Sequence, residues 1–292
     1  MQRRQFIRSS ATLAAAGGAY PHFAKAHTPA SEQDPARGIP LNQQSVSRWC
    51  YGYLELPTLL SKLKDMGLGA IDLIAPAEYD VVSDHGMQVS MAYGREGEDI
   101  TRGWIYTDDH DALYEAYSKA IPDIAKRGWS NLVCFAGNRQ GRFDLDGLRI
   151  AARGIKRVVP ILEEHGVTMQ MELFNSKVDH PDYMADSSAW AIALVDMVGS
   201  DAFKLLYDIY HMQIQEGNVI QTILDYGPDY FGHYHTAGVP GRHELTEDQE
   251  LNYPAVMRAI RKTGFSGYVA HEFVPTYEEK LDGLREAVRV CS

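Results

Sequence analysis

The sequence predicts an α/β fold, a single-domain parallel (β/α)₈ barrel, on three observations. Eight short apolar runs recur along the chain, each followed by turn residues and a stretch of helical period. Such alternation builds a parallel sheet covered by helices. The alternating region, residues 46–292, has the size of one such barrel, about 250 residues. No Gly-rich phosphate loop follows the first strand, as it normally would in a doubly wound open sheet.

The strands are expected at 48–51, 70–73, 88–92, 131–135, 168–173, 204–209, 231–236 and 268–273. Amphipathic stretches at 56–66, 145–165, 187–198, 219–226, 254–263 and 278–290 read as the covering helices. Gly67, Gly166, Gly199, Gly227 and Gly264 fall where helices should stop, since glycine takes the left-handed conformation cheaply. The polar, acidic stretch 95–117 reads as a long loop and then a helix, placed to cover one end of the barrel.

The chain begins differently. Arg3 and Arg4 precede Phe6-Ile7-Arg8, a mild Ala/Gly/Ser run follows, and Ala24-Lys25-Ala26 offers a small-x-small cleavage site. These parts in this order read as a twin-arginine (Tat-type) signal peptide over residues 1–26, which predicts a periplasmic protein and the Tat export machinery as a partner. Residues 27–45, rich in Pro, Gln, Ser and Ala, read as a linker. Losing the four cations of residues 1–26 would take the formal net charge from −11 to −15. Such a surface repels phosphate backbones, so nucleic acid is not an expected partner. No apolar run is long enough for a membrane anchor. Cys50, Cys134 and Cys291 are far apart and predict no disulfide framework; Cys50 and Cys134, in strand-like runs, read as buried free thiols.

Chemistry is expected at the carboxyl ends of the strands. Strand five ends at Glu172, strand six at Asp208, strand seven at His235 and strand eight at Glu272. A buried carboxylate is costly unless paired or metal-bound. Any one of these could be a structural ion pair. Three carboxylates converging at one end of a barrel repel one another unless a divalent cation lies among them. With one imidazole they suit Mn²⁺, Mg²⁺ or Co²⁺ rather than a thiolate-seeking ion.

The same strands carry a family resemblance. Met171-Glu-Leu-Phe-Asn-Ser-Lys-Val-Asp-His180, Tyr207-Asp-Ile-Tyr-His-Met-Gln213, Gly232-His-Tyr-His-Thr-Ala-Gly-Val-Pro-Gly-Arg-His-Glu244 and Gly267-Tyr-Val-Ala-His-Glu272 resemble hydroxypyruvate isomerases. These belong to the xylose-isomerase-like barrels, with ketose 3-epimerases as relatives. The resemblance runs from about Val46 to Pro275. It implies Glu172, Asp208, His235 and Glu272 as metal ligands, and Glu172 and Glu272 as the catalytic carboxylates. One position departs from the pattern: His235 stands where these isomerases often have Gln and where the 3-epimerases have His.

The implied reaction interconverts hydroxypyruvate, or a similar short sugar acid, with its aldehyde isomer, tartronate semialdehyde, by proton transfer through an enediolate. His211 is placed to bond a substrate oxygen and Arg242 to hold a substrate carboxylate. The partner is thus a small sugar or keto acid, and a homo-oligomer stays open. A ketose 3-epimerase is the alternative enzyme. A periplasmic carbohydrate-binding barrel without catalysis is the alternative of another class, and it needs no divalent ion.

Overall fold

The computed structural model describes residues 38–292; the expected signal peptide and most of the expected linker lie outside them. Eight strands run β1 (Gln44–Val46), β2 (Ala70–Ile74), β3 (Gln88–Ala92), β4 (Asn131–Cys134), β5 (Thr168–Glu172), β6 (Phe203–Asp208), β7 (Phe231–Thr236) and β8 (Val269–His271). All neighbours pair in parallel, in the order β1-β8-β7-β6-β5-β4-β3-β2. A parallel bridge between Ser47 and Asp72 joins the two outer strands, so the sheet closes on itself.

Helices cover the outside: α1 (Leu56–Asp65), α2 (Tyr79–Asp84), α3 (His110–Lys126), α4 (Asp144–Ile155), α5 (Val159–His165), α6 (Ser188–Val198), α7 (Ile209–Gln215), α8 (Val219–Tyr230), α9 (Tyr253–Lys262) and α10 (Lys280–Cys291). Their apolar stripes face the strands: α1 buries Leu56, Leu59, Leu60 and Leu63 at helical spacing. Among the described residues no helix is long and apolar enough to cross a membrane. All three cysteines are free and buried.

Four expectations need correction. Residues 48–51 form a 3₁₀ turn, and the first strand lies just before them, at Gln44–Val46, inside the stretch expected to be linker. Its polar residues hide it. Gln44 is buried because its Nε2 donates to the Ile39 carbonyl at 2.7 Å and its Oε1 lies 2.9 Å from His271 Nε2. Ser45 is buried against Ser90 Oγ at 2.7 Å. A strand whose polar side chains are satisfied inside the barrel has no apolar signal. The helix expected over 145–165 is two, α4 and α5, because Pro160 has no N–H for the Lys156 carbonyl and starts a new helix instead.

Gly227 does not end its helix, since α8 runs on to Tyr230. A Cβ there would lie 3.0 Å from Tyr234 Oη and 3.4 Å from Thr263 Cγ2, so the glycine allows close packing on β7. The stretch before α3 lies over one end of the barrel, as expected, with Ile100 lining the same cavity as Glu172 and Glu272. Trp104 and Ile105 are fully buried and donate backbone hydrogen bonds to Phe135 and Ala136, at 3.1 Å each.

Candidate active site

Register brings the chemistry to one end of the barrel. Asp208, last in β6, pairs with His235 in β7, and His235 pairs with Ala270 in β8. Glu172 is last in β5, and Glu272 follows β8 directly, its N–H donating to the Thr236 carbonyl at 2.9 Å. One donor atom from each of Glu172, Asp208, His235 and Glu272 falls within 4.8 Å of every other, and all four residues are buried. The four ligands named from sequence therefore converge.

His235 lies at the centre. Its Nδ1 is 2.8 Å from Glu272 Oε2, 3.1 Å from Glu172 Oε1 and 4.0 Å from Asp208 Oδ2. Burial alone would lower its pKa, but Glu272, Asp72 and Glu172 outweigh burial and hold it well above the usual histidine range.

The carboxylates divide into two kinds. Glu272 is saturated: Trp49 Nε1 donates to Oε1 at 2.6 Å and Arg242 Nη2 to Oε2 at 2.7 Å. Against the cost of burial, Arg242 and His235 hold its pKa well below the usual carboxylate range. Glu172 is the opposite. Its buried Oε1 has only His235 Nδ1, shared with Glu272, 3.1 Å away, and burial, with repulsion from Glu272 and Asp208, pushes its pKa up to about 7. Burial and Glu272 likewise push Asp208 up to about 6, although Arg242 pulls the other way.

Crowded, partly unpartnered carboxylates beside an imidazole nitrogen make a donor set that a hard divalent cation fits. Three carboxylates crowd the single His235 Nδ1, and that imbalance favours a cation over a closed ion-pair network.

The two expected substrate residues border the cluster. His211 lies in α7, not in a loop, and is fully buried. Asn175 Oδ1 accepts from the N–H groups of Val178 and Asp179, which fixes the amide so that its Nδ2 donates to His211 Nδ1 at 2.7 Å. A neutral His211 then carries its proton on Nε2, which has no hydrogen-bond partner and lies 3.7 Å from Asp208 Oδ2. Burial and the nearby Arg242 keep the ring neutral.

Arg242, at φ 58°, lies between the Trp49 and Tyr210 rings, 5.3 and 5.4 Å from their centroids. The sequence leads one to expect it to face only substrate. Instead its Nε and Nη2 are committed to Glu272, with Nη2 also 3.6 Å from Asp208.

These groups open into a cavity of about 240 Å³. Glu172, Glu272, Arg242 and His180 are its polar wall, and Trp49, Tyr93, Phe135 and Phe174 its aromatic one. A larger cleft of about 410 Å³ along residues 245–254 lies away from the cluster and gathers no comparable set of ligands. Sequence reasoning misses Asp72, Trp49 and His180. Asp72 has the signal that finds Glu172, a carboxylate inside the apolar strand Ala70–Ile74. His180 shows only as the last residue of the family-like run from Met171, with no role marked for it, and Trp49 shows no signal of charge or spacing.

A sequence profile of the xylose isomerase-like TIM barrel matches residues 60–291. The chain belongs to this family. A putative hydroxypyruvate isomerase of Homo sapiens is 31% identical over 130 residues, 44% of this chain and 46% of that one, so the match spans about half of the relative. The hydroxypyruvate isomerase of Escherichia coli is 27% identical over 235 residues, 77% of this chain and 90% of its own. Among solved structures, an AP endonuclease, family 2, from Brucella melitensis superposes with a TM-score of 0.74 at 21% identity, covering 84% of this chain and 97% of its own. At that identity the likeness is one of fold.

Proposed function

We propose that the protein is a metal-dependent isomerase that interconverts hydroxypyruvate, or a similar short sugar acid, with its aldehyde isomer. The observation that carries this reading is the convergence of Glu172, Asp208, His235 and Glu272 in one buried cluster open to a small cavity. The names of the two relatives support the substrate class.

A divalent cation held by these four side chains supplies Lewis-acid polarisation of the substrate carbonyl and its neighbouring hydroxyl. Mn²⁺ or Mg²⁺ suits the donor set best. Glu172 takes the proton from the carbon beside the carbonyl: the C–H bond breaks and its electron pair enters the enediolate. A proton affinity near neutral suits this role. Return of the proton to the former carbonyl carbon, which the resemblance assigns to the Glu172 and Glu272 pair, with passage of the hydroxyl proton to the former carbonyl oxygen, completes the isomer. His211 would donate to a substrate oxygen through its unpartnered Nε2–H. Return to the opposite face of the original carbon would give an epimer. The aromatic wall offers few partners to a long polyol, which favours a short acid. A substrate panel on the Mn²⁺-loaded protein, spanning short keto acids and neutral ketoses, tests the reading. Turnover of neutral ketoses alone would replace it with epimerisation.

Arg242 gives this proposal a sharper test. Arg242→Ala should raise KM for acids about tenfold or more while sparing KM for neutral sugars, as loss of a charge-assisted contact requires. Because Arg242 also holds Glu272, kcat should fall for both classes. Steady-state kinetics on one acid and one neutral sugar check this; an equal KM change for both would remove Arg242 from carboxylate binding.

Location is part of the same proposal. The twin-arginine segment would export the folded protein to the periplasm. Replacing Arg3 and Arg4 together with Lys should leave the precursor in the cytoplasm, read by fractionation and immunoblot. Unimpaired export of that variant would count against the Tat route.

A further inference from the structure

A second buried cluster, Asp72, His233 and His235, lies behind the first and shares His235 with it. His235 Nε2 is 2.9 Å from Asp72 Oδ1, and His233 Nε2 is 3.0 Å from Asp72 Oδ2. Ser90 Oγ donates to Oδ2 at 2.5 Å and lies 2.7 Å from Ser45 Oγ. Asp72, both histidines and both serines are fully buried.

The backbone is shaped around Asp72. The β2–β3 register shifts on either side of it, and the next residue, Leu73, has φ 52°. A side-chain-bearing residue in that region costs free energy, and such irregularities often re-aim a side chain beside an active site. Here the irregularity places a carboxylate between two strand-seven histidines.

We infer that Asp72 is a positioning residue that fixes the tautomer and the ring orientation of His235. The inference rests on the metal reading above. Donors and acceptors at the contact decide the tautomer. An ionised carboxylate only accepts, so the His235 nitrogen facing Asp72 must carry a proton. That nitrogen is Nε2, so a cation held among Glu172, Asp208 and Glu272 would take the place of the proton on Nδ1, the atom directed at them. A carboxylate behind a ligating imidazole also strengthens it as a ligand. His233 sits beside the other Asp72 oxygen, its Nε2 3.0 Å from Oδ2.

An amide cannot replace this carboxylate. Oδ1 accepts from His235 and Ser47 and Oδ2 from Ser90, with His233 Nε2 3.0 Å from Oδ2, so Asn would turn a donor toward one side. Leu removes both acceptors.

The test is Mn²⁺ affinity of the purified protein, measured by EPR titration without substrate. Asp72→Leu should weaken binding by about 10- to 100-fold, and Asp72→Asn by about tenfold, the usual cost of losing such a partner. Circular dichroism of the metal-free variants confirms folding; if Asp72→Leu does not fold, Asp72→Asn decides. The second readout is ¹⁵N NMR of the Mg²⁺-loaded protein, with His235 assigned by His235→Gln. Wild type should show a protonated Nε2 and an unprotonated Nδ1, and the Asp72 variants a tautomer mixture. Variants that lose thermal stability but keep wild-type affinity and tautomer would make Asp72 a barrel-closing ion pair and overturn the inference alone. A wild-type protein that binds neither Mn²⁺ nor Mg²⁺ would overturn the metal reading and this inference with it.

Discussion

Glu172→Gln and Glu272→Gln should each lower kcat on the cognate short sugar acid by about 10²- to 10⁴-fold, the usual range for losing a positioned acid–base group, and excess Mn²⁺ should restore neither. Glutamine keeps the length and one oxygen donor but removes the charge and the base. Glu172→Gln is the cleaner variant, because the wild-type Oε1 has only the shared His235 Nδ1 contact at 3.1 Å to lose, whereas Glu272 holds two donors of its own. Its loss of turnover therefore reads chemistry, not packing. Glu272→Gln also turns an amide donor toward Trp49 Nε1 or Arg242 Nη2, both donors themselves, so a fall in thermal stability should accompany it.

Asp208→Asn behaves differently. Asp208 Oδ1 caps α7 by accepting from the His211 N–H at 3.1 Å, and Asn caps equally well, so the fold is kept. What is lost is ligand charge, and added metal should recover much of the activity. Plots of kcat against Mn²⁺ concentration for the three variants separate the roles. Full recovery of Glu172→Gln would reduce Glu172 to a ligand and leave the proton acceptor unidentified.

The fold is legible in the sequence where burial is apolar. Strands β2 to β8 show as apolar runs, and α1 shows by its leucine spacing. β1 does not, because Gln44 and Ser45 are buried through hydrogen bonds to residues more than 40 positions away, His271 and Ser90. Sequence patterns do not register such long-range satisfaction. The four clustered residues, Glu172, Asp208, His235 and Glu272, are legible because polar, ionisable side chains stand at the ends of apolar strands. Asp72 carries the same mark but lies within its strand, not at the end; only the register shift shows that it is aimed at His235. Arg242 shows the reverse. Its loop reads as a substrate contact, and nothing in the sequence says that its Nη2 pairs with Glu272 across 30 residues.

The carboxylates should also make the metal-free protein less stable than it could be, in a pH-dependent way that one substitution reveals. Glu172 has a pKa raised to about 7 from an ordinary 4.5, chiefly by burial and then by Glu272 and Asp208. The folded state thus binds this proton more tightly than the unfolded chain does. Stability from this group is complete below about pH 4.5 and is lost as pH rises through about 7. At pH 8 the ionised Glu172 costs on the order of 3 kcal/mol, since each tenfold gain in proton affinity on folding is worth about 1.36 kcal/mol. Glutamine cannot ionise and escapes that cost.

Chelator-treated Glu172→Gln should therefore melt above chelator-treated wild type at pH 8, by roughly 5–10 °C for a chain of this size. The gap should shrink to a degree or two at pH 5. Comparing the variants at each pH cancels the buried neutral histidines His211, His233 and His271, whose lowered pKa values cost stability as pH falls and would otherwise mask the effect. Saturating Mn²⁺ should reverse the order at pH 8, since only wild type offers the full set of charged ligands and ligand binding stabilises by mass action. Differential scanning fluorimetry at pH 5 and 8, with and without Mn²⁺, gives all the values needed. Wild type melting above Glu172→Gln in chelator at pH 8 would mean that Glu172 is already neutralised by a protein partner. A cation would then have no repulsion to relieve there.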